Sequence, residues 1–314
     1  MIVLYFKEHL LHDYPQHPEN ASRIESIKDR LREVSNFIEV EPEFDENIIS
    51  RVHSPEYVEE IKKLSEKTET VIFLDPDTYL VHGTYRAAVL SANLLIKAYE
   101  LRNKHVFALT RPPGHHADKH KPGGFCIFNN VAILTRLAVD DGLDVLVLDL
   151  DYHHGNGTQN LLPEEAVFVS IHRYGVYPGT GHYVERDEGR IYNIPLPFGW
   201  INDLEYFYIF EKLVIPIVEN RNPDIIIISM GFDGHQKDLL GDWALVRVWR
   251  NIFKHIREYR IVMALEGGYN PSGILGGIRD IKDGLEGKEV MLEGPIRKEL
   301  AKYIDDLAVY FNLK

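Results

Sequence analysis

Short runs rich in aliphatic and β-branched residues alternate along the chain with longer stretches whose apolar positions recur every three or four residues. That alternation predicts an α/β protein with a mostly parallel sheet. The short runs predict strands over 2–6, 106–109, 145–149, 167–171, 224–230 and 260–265. Ile225-Ile-Ile-Ile228 has no polar position at all, the pattern of a strand covered on both faces. Helical periodicity predicts helices over 18–34, 55–66, 85–102, 130–140, 203–220 and 243–259, with two more near the C-terminal end. Pro216 is expected to kink the fifth of these. No repeat, low-complexity tract or Pro/Gly/Ser-rich linker divides the chain, so residues 1–314 are expected to form one domain.

Polar, glycine-rich loops follow particular predicted strands, over 111–124, 151–157, 172–190, 231–242 and 266–270. In an open parallel sheet ligands bind beyond the carboxyl ends of the strands, where such loops converge. All five loops are expected at that edge, and they hold most of the histidines, aspartates and glycines that look chemically out of place.

Composition narrows the classes. With 45% apolar and 26% charged residues in 314, the chain is an ordinary globular protein rather than a disordered or fibrous one. Thirty-five basic against forty-eight acidic residues give −13, which argues against holding a nucleic-acid backbone and favours a cationic partner or substrate. Cys126 is the only cysteine, so a disulfide framework, a Cys-rich zinc module and a CxxC redox pair are excluded. The apolar opening is too short and wrongly flanked for a signal peptide, and no run reaches the length of a membrane helix. A cytoplasmic protein without membrane contact is expected.

The predicted strand over 145–149 runs straight into Asp149-Leu-Asp-Tyr-His-His-Gly-Asn-Gly157. While the backbone stays extended, its period of two puts Asp149, Asp151 and His153 on one side; a polar loop with capping aspartates is the alternative. Ser229-Met-Gly-Phe-Asp233 supplies another acid just past a strand too apolar to want a charge. Asp151, His153 and Asp233 together offer one imidazole and two carboxylates, three ligands with room for water, as a catalytic zinc site requires. The commonest iron oxygenase triad has the reverse ratio. Arg111-Pro-Pro-Gly-His-His-Ala117 sets His115 and His116 on a stiff turn. Beside an activated water imidazoles are natural proton carriers near neutral pH, and Asp149 and Asn156 are the candidate acceptors to orient them. Glu266-Gly-Gly-Tyr-Asn270 lifts Tyr269 off a strand end on two glycines. Its hydroxyl would donate to an oxyanion, unless the ring is only filler.

The motifs Arg-Pro-Pro-Gly-His-His-Ala, Gly-Gly-Phe-Cys-Ile-Phe-Asn-Asn, Asp-Leu-Asp-Tyr-His-His-Gly-Asn-Gly-Thr, Tyr-Pro-Gly-Thr-Gly, Gly-Phe-Asp and Leu-Glu-Gly-Gly-Tyr-Asn follow in that order. In this they resemble zinc-dependent histone deacetylases and acetylpolyamine amidohydrolases, over nearly the whole chain from His17 onward. The resemblance implies the arginase/deacetylase fold, a single three-layer α/β/α domain with a mostly parallel central sheet. It implies a metal-dependent amidohydrolase acting on an acetylated lysine side chain or an acetylated small amine. Asp151, His153 and Asp233 become the ligands of one zinc ion, with iron(II) as the alternative metal. His116 becomes the general base and later acid, with His115 tuning the electrostatics, an assignment the residues alone leave open. Tyr269 matches the tyrosine that hydrogen-bonds the acetyl oxygen, Phe125 and Tyr177 the walls of the substrate tunnel, and Gly124 its edge. Asp149 and Ser170 match part of a structural potassium site, and Arg23 an arginine associated with acetate exit. Asn156 stands where some members have aspartate, as in the class II branch, which weakens the charge partner of His116.

Arginases share the implied fold but bind two manganese ions and need additional carboxylates. Gly155, two after His153, and Gly231, two before Asp233, depart from that requirement. A non-catalytic acetyl-binding module is the other competing class, and the retention of both histidines, all three ligands and Tyr269 argues against it. For the substrate, polyamine-selective relatives carry a glutamate near the tunnel mouth; seven residues beyond Asp233 this chain has Leu240. An aliphatic rim favours acetyl-lysine or another linear acylamine, unless Leu240 is merely loop packing. Asp75 and Asp77 would add a rim carboxylate for the substrate backbone or an amine, which keeps polyamines in play.

Overall fold

In the computed structural model, which describes residues 1–185 and 189–313, ten strands form: β1 Ile2–Tyr5, β2 Asn36–Glu39, β3 Ile72–Phe73, β4 Tyr79–Leu80, β5 His105–Ala108, β6 Val145–Asp149, β7 Val167–Arg173, β8 Ile191–Leu196, β9 Ile225–Met230 and β10 Ile261–Leu265. Eight of them make one sheet in the order β2-β1-β5-β10-β9-β6-β7-β8, with β3 and β4 a separate antiparallel pair. Every pairing in the large sheet is parallel.

Alternation along each strand divides the core into the two outer layers. Leu146, Leu148, Ile226 and Ile228 face Tyr206, Phe210, Trp249, Ile252 and Ile278 from helices on one side. Val145, Val147, Ile225 and Ile227 face Leu90, Leu94, Val131 and Leu134 on the other. Burying one such side chain contributes about 1.5–3 kcal/mol, which is why these strands carry no polar face until their carboxyl ends. β5, β10, β9 and β6 are neighbours in the sheet, so the loops leaving their carboxyl ends meet above its centre.

The edges depart from the sequence pattern. β2 and β8 were not expected: Asn36-Phe-Ile-Glu39 is largely exposed, and β8 contains Asn193 and Pro195. Both pair on one side only, where a polar residue or a proline is tolerated. β7 runs two residues into the expected 172–190 loop, and 186–188 of that loop lie outside the described residues. The helix expected over 18–34 is instead two pieces, Ser22–Glu25 and Lys28–Val34. The Asn20 side chain accepts from the Ser22 N–H at 2.9 Å and starts the helix there, a local bond that competes with helix propagation. The helix expected over 243–259 begins only at Val248. Before it Ala244 and Leu245 bridge to Asn202 and His235, and the Asp203 carboxylate caps the N–H groups of Val246, Arg247 and Val248. The interruption expected at Pro216 takes the form of a π-helical turn, Phe210–Val214, immediately before Ile215–Arg221.

Several buried histidines act as neutral connectors. His53 accepts the Asn129 N–H at 2.8 Å and donates to the Asp118 carbonyl at 2.9 Å, an arrangement only the neutral ring can make. Burial pushes its pKa down to about 4, and that of His154 to about 4 as well. An unfolded imidazole titrates near 6.5, so the unfolded chain takes up protons that the folded one refuses. Stability is therefore full above about pH 6.5 and falls as pH drops toward about 4, by at most roughly 3 kcal/mol for each histidine. Urea midpoints at pH 7 and pH 4.5 should show this loss, and His53→Gln, which keeps a donor and an acceptor, should reduce it. Equal pH slopes for parent and variant would overturn the assignment to His53.

Among the described residues no helix is long and apolar enough to cross a membrane.

Candidate active site

β6 ends at Asp149, and the chain bends there rather than continuing extended. The period of two consequently lapses, and Asp149, like Asp151 at 3.8 Å, reaches His115. Asp149 Oδ2 pairs with His115 Nδ1 at 3.1 Å while Oδ1 accepts the Asp151 N–H at 3.1 Å. Asp151 and His153 turn toward Asp233, which follows β9. One donor atom from each of these three lies within 4.8 Å of the others. Backbone amides aim the carboxylates: His153 and Gly267 N–H donate to Asp151 at 2.8 and 2.8 Å, and Tyr152 N–H to Asp233 at 3.1 Å.

This cluster could hold a metal ion. Burial and then the Asp151 charge raise the Asp233 carboxyl to about 7. Against the cost of burial, contacts with both carboxylates raise His153 to about 10. Two buried acids facing one imidazole, with Nδ1 of His153 2.9 Å from Asp233 Oδ2, are the donor set and burial of a metal centre with an open side. Room for a further protein ligand is missing. A side chain on Gly231 would place its Cβ 2.1 Å from Asp151 Oδ2, one on Gly267 2.6 Å from both Asp151 and Asp233, and one on Gly155 1.9 Å from Asp149 Oδ2.

His115 and His116 stand side by side, rings 4.0 Å apart, with different partners. His115 has the charged one, Asp149. Burial alone would lower its pKa, but Asp151, Asp149 and Glu266 outweigh that and raise it to about 10. His116 Nδ1 bonds Asn156 Oδ1 at 2.8 Å, a neutral acceptor that leaves Nε2 with its lone pair. Burial, then the charges of His115 and His153, hold His116 well below the usual imidazole range.

A cavity of about 220 Å³ opens over these groups, lined by Phe125, Tyr177, Gly124, Leu240, Asp77 and Tyr269 together with both histidines, Asp151 and His153. The Tyr177 ring stands edge-on to His116 at 4.9 Å, and Phe125 edge-on to Tyr269 at 5.6 Å. Gly124 adopts φ +50°, and a Cβ there would sit 2.4 Å from His116. Phe125 itself is held at φ +71°, a conformation that costs about 1–3 kcal/mol and turns its ring into the wall. Of the rim acids only Asp77 lines the cavity. Asp75 is consumed by its own turn, accepting from the N–H groups of Asp77 and Thr78 and from the Thr78 hydroxyl.

Asp149 and Ser170 are direct cross-strand partners of β6 and β7, and Ser170 Oγ also bonds His172 Nδ1 at 2.9 Å. Arg23 lies beneath the tyrosine loop: it donates to the carbonyls of Gly268 and Glu266 at 2.6 and 2.6 Å, and its guanidinium sits 4.8 Å over the Tyr269 ring.

Some contributors escaped the sequence reading. Glu266 is wholly buried and receives the Gly114 and His115 N–H groups at 2.7 and 3.1 Å, so it anchors the two-histidine turn to the end of β10. Its signal was the one used for Asp233, an acid just after an apolar strand. Cys126 Sγ accepts the His116 N–H at 3.4 Å. Arg111 and Arg23 share buried Glu19 at 2.8 and 2.9 Å; the Arg23 pair is four residues apart, but Arg111 comes from a distant segment that no local spacing announces.

Comparison with known proteins finds relatives in both sequence and fold. A histone deacetylase domain model matches residues 17–281. The chain is 34% identical over 301 residues to a probable deacetylase of Archaeoglobus fulgidus, covering 87% of this chain and 82% of that one. It is 31% identical over 321 residues to histone deacetylase 14, chloroplastic, of Arabidopsis thaliana, covering 88% and 75%. The crystal structure of the HDA15 HD domain superposes with a TM-score of 0.90 at 29% identity, over 98% of this chain and 94% of that one. An acetylpolyamine aminohydrolase from Burkholderia pseudomallei shares the fold, with a TM-score of 0.82 at 24% identity, over 91% and 98%.

Proposed function

The chain belongs to the histone deacetylase family, and from that premise we propose that it is a metal-dependent amidohydrolase removing an acetyl group from acetyl-lysine or a related linear acylamine. The observation that carries this reading is a single cavity in which the three-donor cluster, two differently partnered imidazoles and Tyr269 converge.

One divalent ion, zinc with iron(II) as the alternative, held by Asp151, His153 and Asp233, would supply Lewis-acid polarisation of the scissile carbonyl and the attacking water. Asp149 and Ser170 are the residues that would hold a structural potassium ion below it. His116 takes the water proton at Nε2, because burial and the neighbouring charges of His115 and His153 keep the ring neutral while Asn156 occupies Nδ1. The water oxygen bonds the acyl carbon. Tyr269 donates its hydroxyl hydrogen to the oxyanion so formed. His116 then returns the proton to the nitrogen as the C–N bond breaks, and acetate and the amine are released. His115, paired with Asp149, contributes positive charge rather than a base. Phe125 and Tyr177 hold the extended methylene chain and exclude water. The single buried cysteine suits a reducing, cytoplasmic setting.

The metal-loaded protein should be compared on acetyl-lysine peptides and acetylated polyamines by kcat/KM. Leu240 lines the mouth and cannot pair with a distal ammonium, which favours acetyl-lysine. A second reading, acetylpolyamine hydrolysis, is favoured by Asp77 on the same wall. Leu240→Glu should raise kcat/KM for acetylpolyamines relative to acetyl-lysine peptides. A parent protein that already prefers acetylpolyamines by about tenfold, roughly 1.4 kcal/mol of transition-state discrimination, would establish the second reading instead.

A further inference from the structure

The five-residue loop carrying Tyr269 has no regular secondary structure, yet several of its polar backbone groups are taken up by charged side chains from elsewhere. Its carbonyls at Glu266 and Gly268 go to Arg23. Its amide at Gly267 goes to Asp151. The amides of Tyr269 and Asn270 both go to one oxygen of Asp238, at 2.7 and 3.0 Å, while the other oxygen accepts the Leu240 N–H at 3.1 Å. Asn270 Nδ2 adds a bond to the Lys237 carbonyl at 2.9 Å. Asp238 thus ties the segment after Asp233 to the Tyr269 loop, and its anion lies before the N-terminus of the helix Pro271–Leu285, where helix polarity favours negative charge.

We infer that Asp238 is a positioning residue for Tyr269, fixing the direction of its side chain by clamping the N–H groups of Tyr269 and Asn270, which flank the tyrosine Cα, to the loop that carries Leu240. The inference rests on Tyr269 being the oxyanion donor. Gly268, at φ +111°, turns the chain just before the tyrosine. An amide pair left without its acceptor there lets the tyrosine swing, although no atom of Asp238 touches the reacting groups.

Asp238→Ala tests this in four measurements on the metal-loaded protein. Amide hydrogen exchange over 266–270 should quicken by about tenfold or more, with the melting curve still cooperative and metal content unchanged. kcat should fall about 10–100-fold, with KM moving less than about threefold. In a Tyr269→Phe background the same change should cost less than about twofold more, because there is no longer a hydroxyl to aim. Asp238→Asn, which keeps one acceptor for the Tyr269 and Asn270 amides, should fall between parent and Asp238→Ala. Unchanged exchange at 266–270 overturns the clamp whatever the activity does, and losses that multiply in the double variant overturn its action through Tyr269. A parent inactive on every acylamine defeats the proposed reaction, and the exchange measurement then decides the clamp by itself.

Discussion

Asp233→Ala will remove the catalytic metal and turnover together while the fold persists. Asp233 supplies one of three donors and faces His153 Nδ1 at 2.9 Å, so its loss leaves one carboxylate and one imidazole to hold the ion. A Lewis acid contributes several kcal/mol to the transition state, which corresponds to a fall of about 10³ or more in kcat. The fold should survive because the change also removes a buried anion that opposes Asp151, leaves the Tyr152 N–H without its partner, a cost of about 1–3 kcal/mol, and leaves His153 with Asp151 as its remaining carboxylate partner. Metal content by elemental analysis, circular dichroism and turnover are measured on the same preparation. The parent should bind one tightly held divalent ion in this cluster. Two such ions, after any potassium is discounted, would falsify the mononuclear reading, for which the crowding around Gly231 and Gly267 is the structural support.

Tyr269→Phe will lower kcat by roughly 10²–10³, the usual cost of losing one oxyanion donor, with metal content unchanged. The substitution removes only the hydroxyl. The ring's edge-on contact with Phe125 at 5.6 Å and its place 4.8 Å from the Arg23 guanidinium can both be kept. Burial holds the hydroxyl pKa well above the ordinary range despite the opposing Arg23 charge, so the group stays protonated and available as a donor through neutral pH. Near-normal turnover in this variant would remove Tyr269 from the mechanism and leave the oxyanion to the metal and the histidines.

The six strands legible in the sequence are rich in apolar residues, several of them in continuous runs, because a strand covered by helices on both faces admits little else. For the same reason an acid placed directly after such a run stood out, and Asp149, Asp151 and Asp233 could be named before any geometry was known. Glycines beside them were legible as departures from a two-metal pattern. These are local statements about burial, and residue order along the chain is enough to make them.

Tertiary structure alone decided which neighbour each of those groups meets. Asp149 and Asn156 were expected as acceptors for the two histidines without saying which took which, and the structure pairs Asp149 with His115 and Asn156 with His116. Asp75 and Asp77 look alike in sequence, yet one satisfies its own turn and the other lines the cavity. The edge strands β2 and β8 were invisible because pairing on one side imposes no apolar pattern. The supports of Tyr269 and of the two-histidine turn, Arg23, Asp238 and Glu266, are bonds from charged side chains to backbone groups of segments far away in sequence. Irregular backbone buried at the end of a sheet must find partners, and which side chain reaches it depends on the strand order that brings β5, β10, β9 and β6 together.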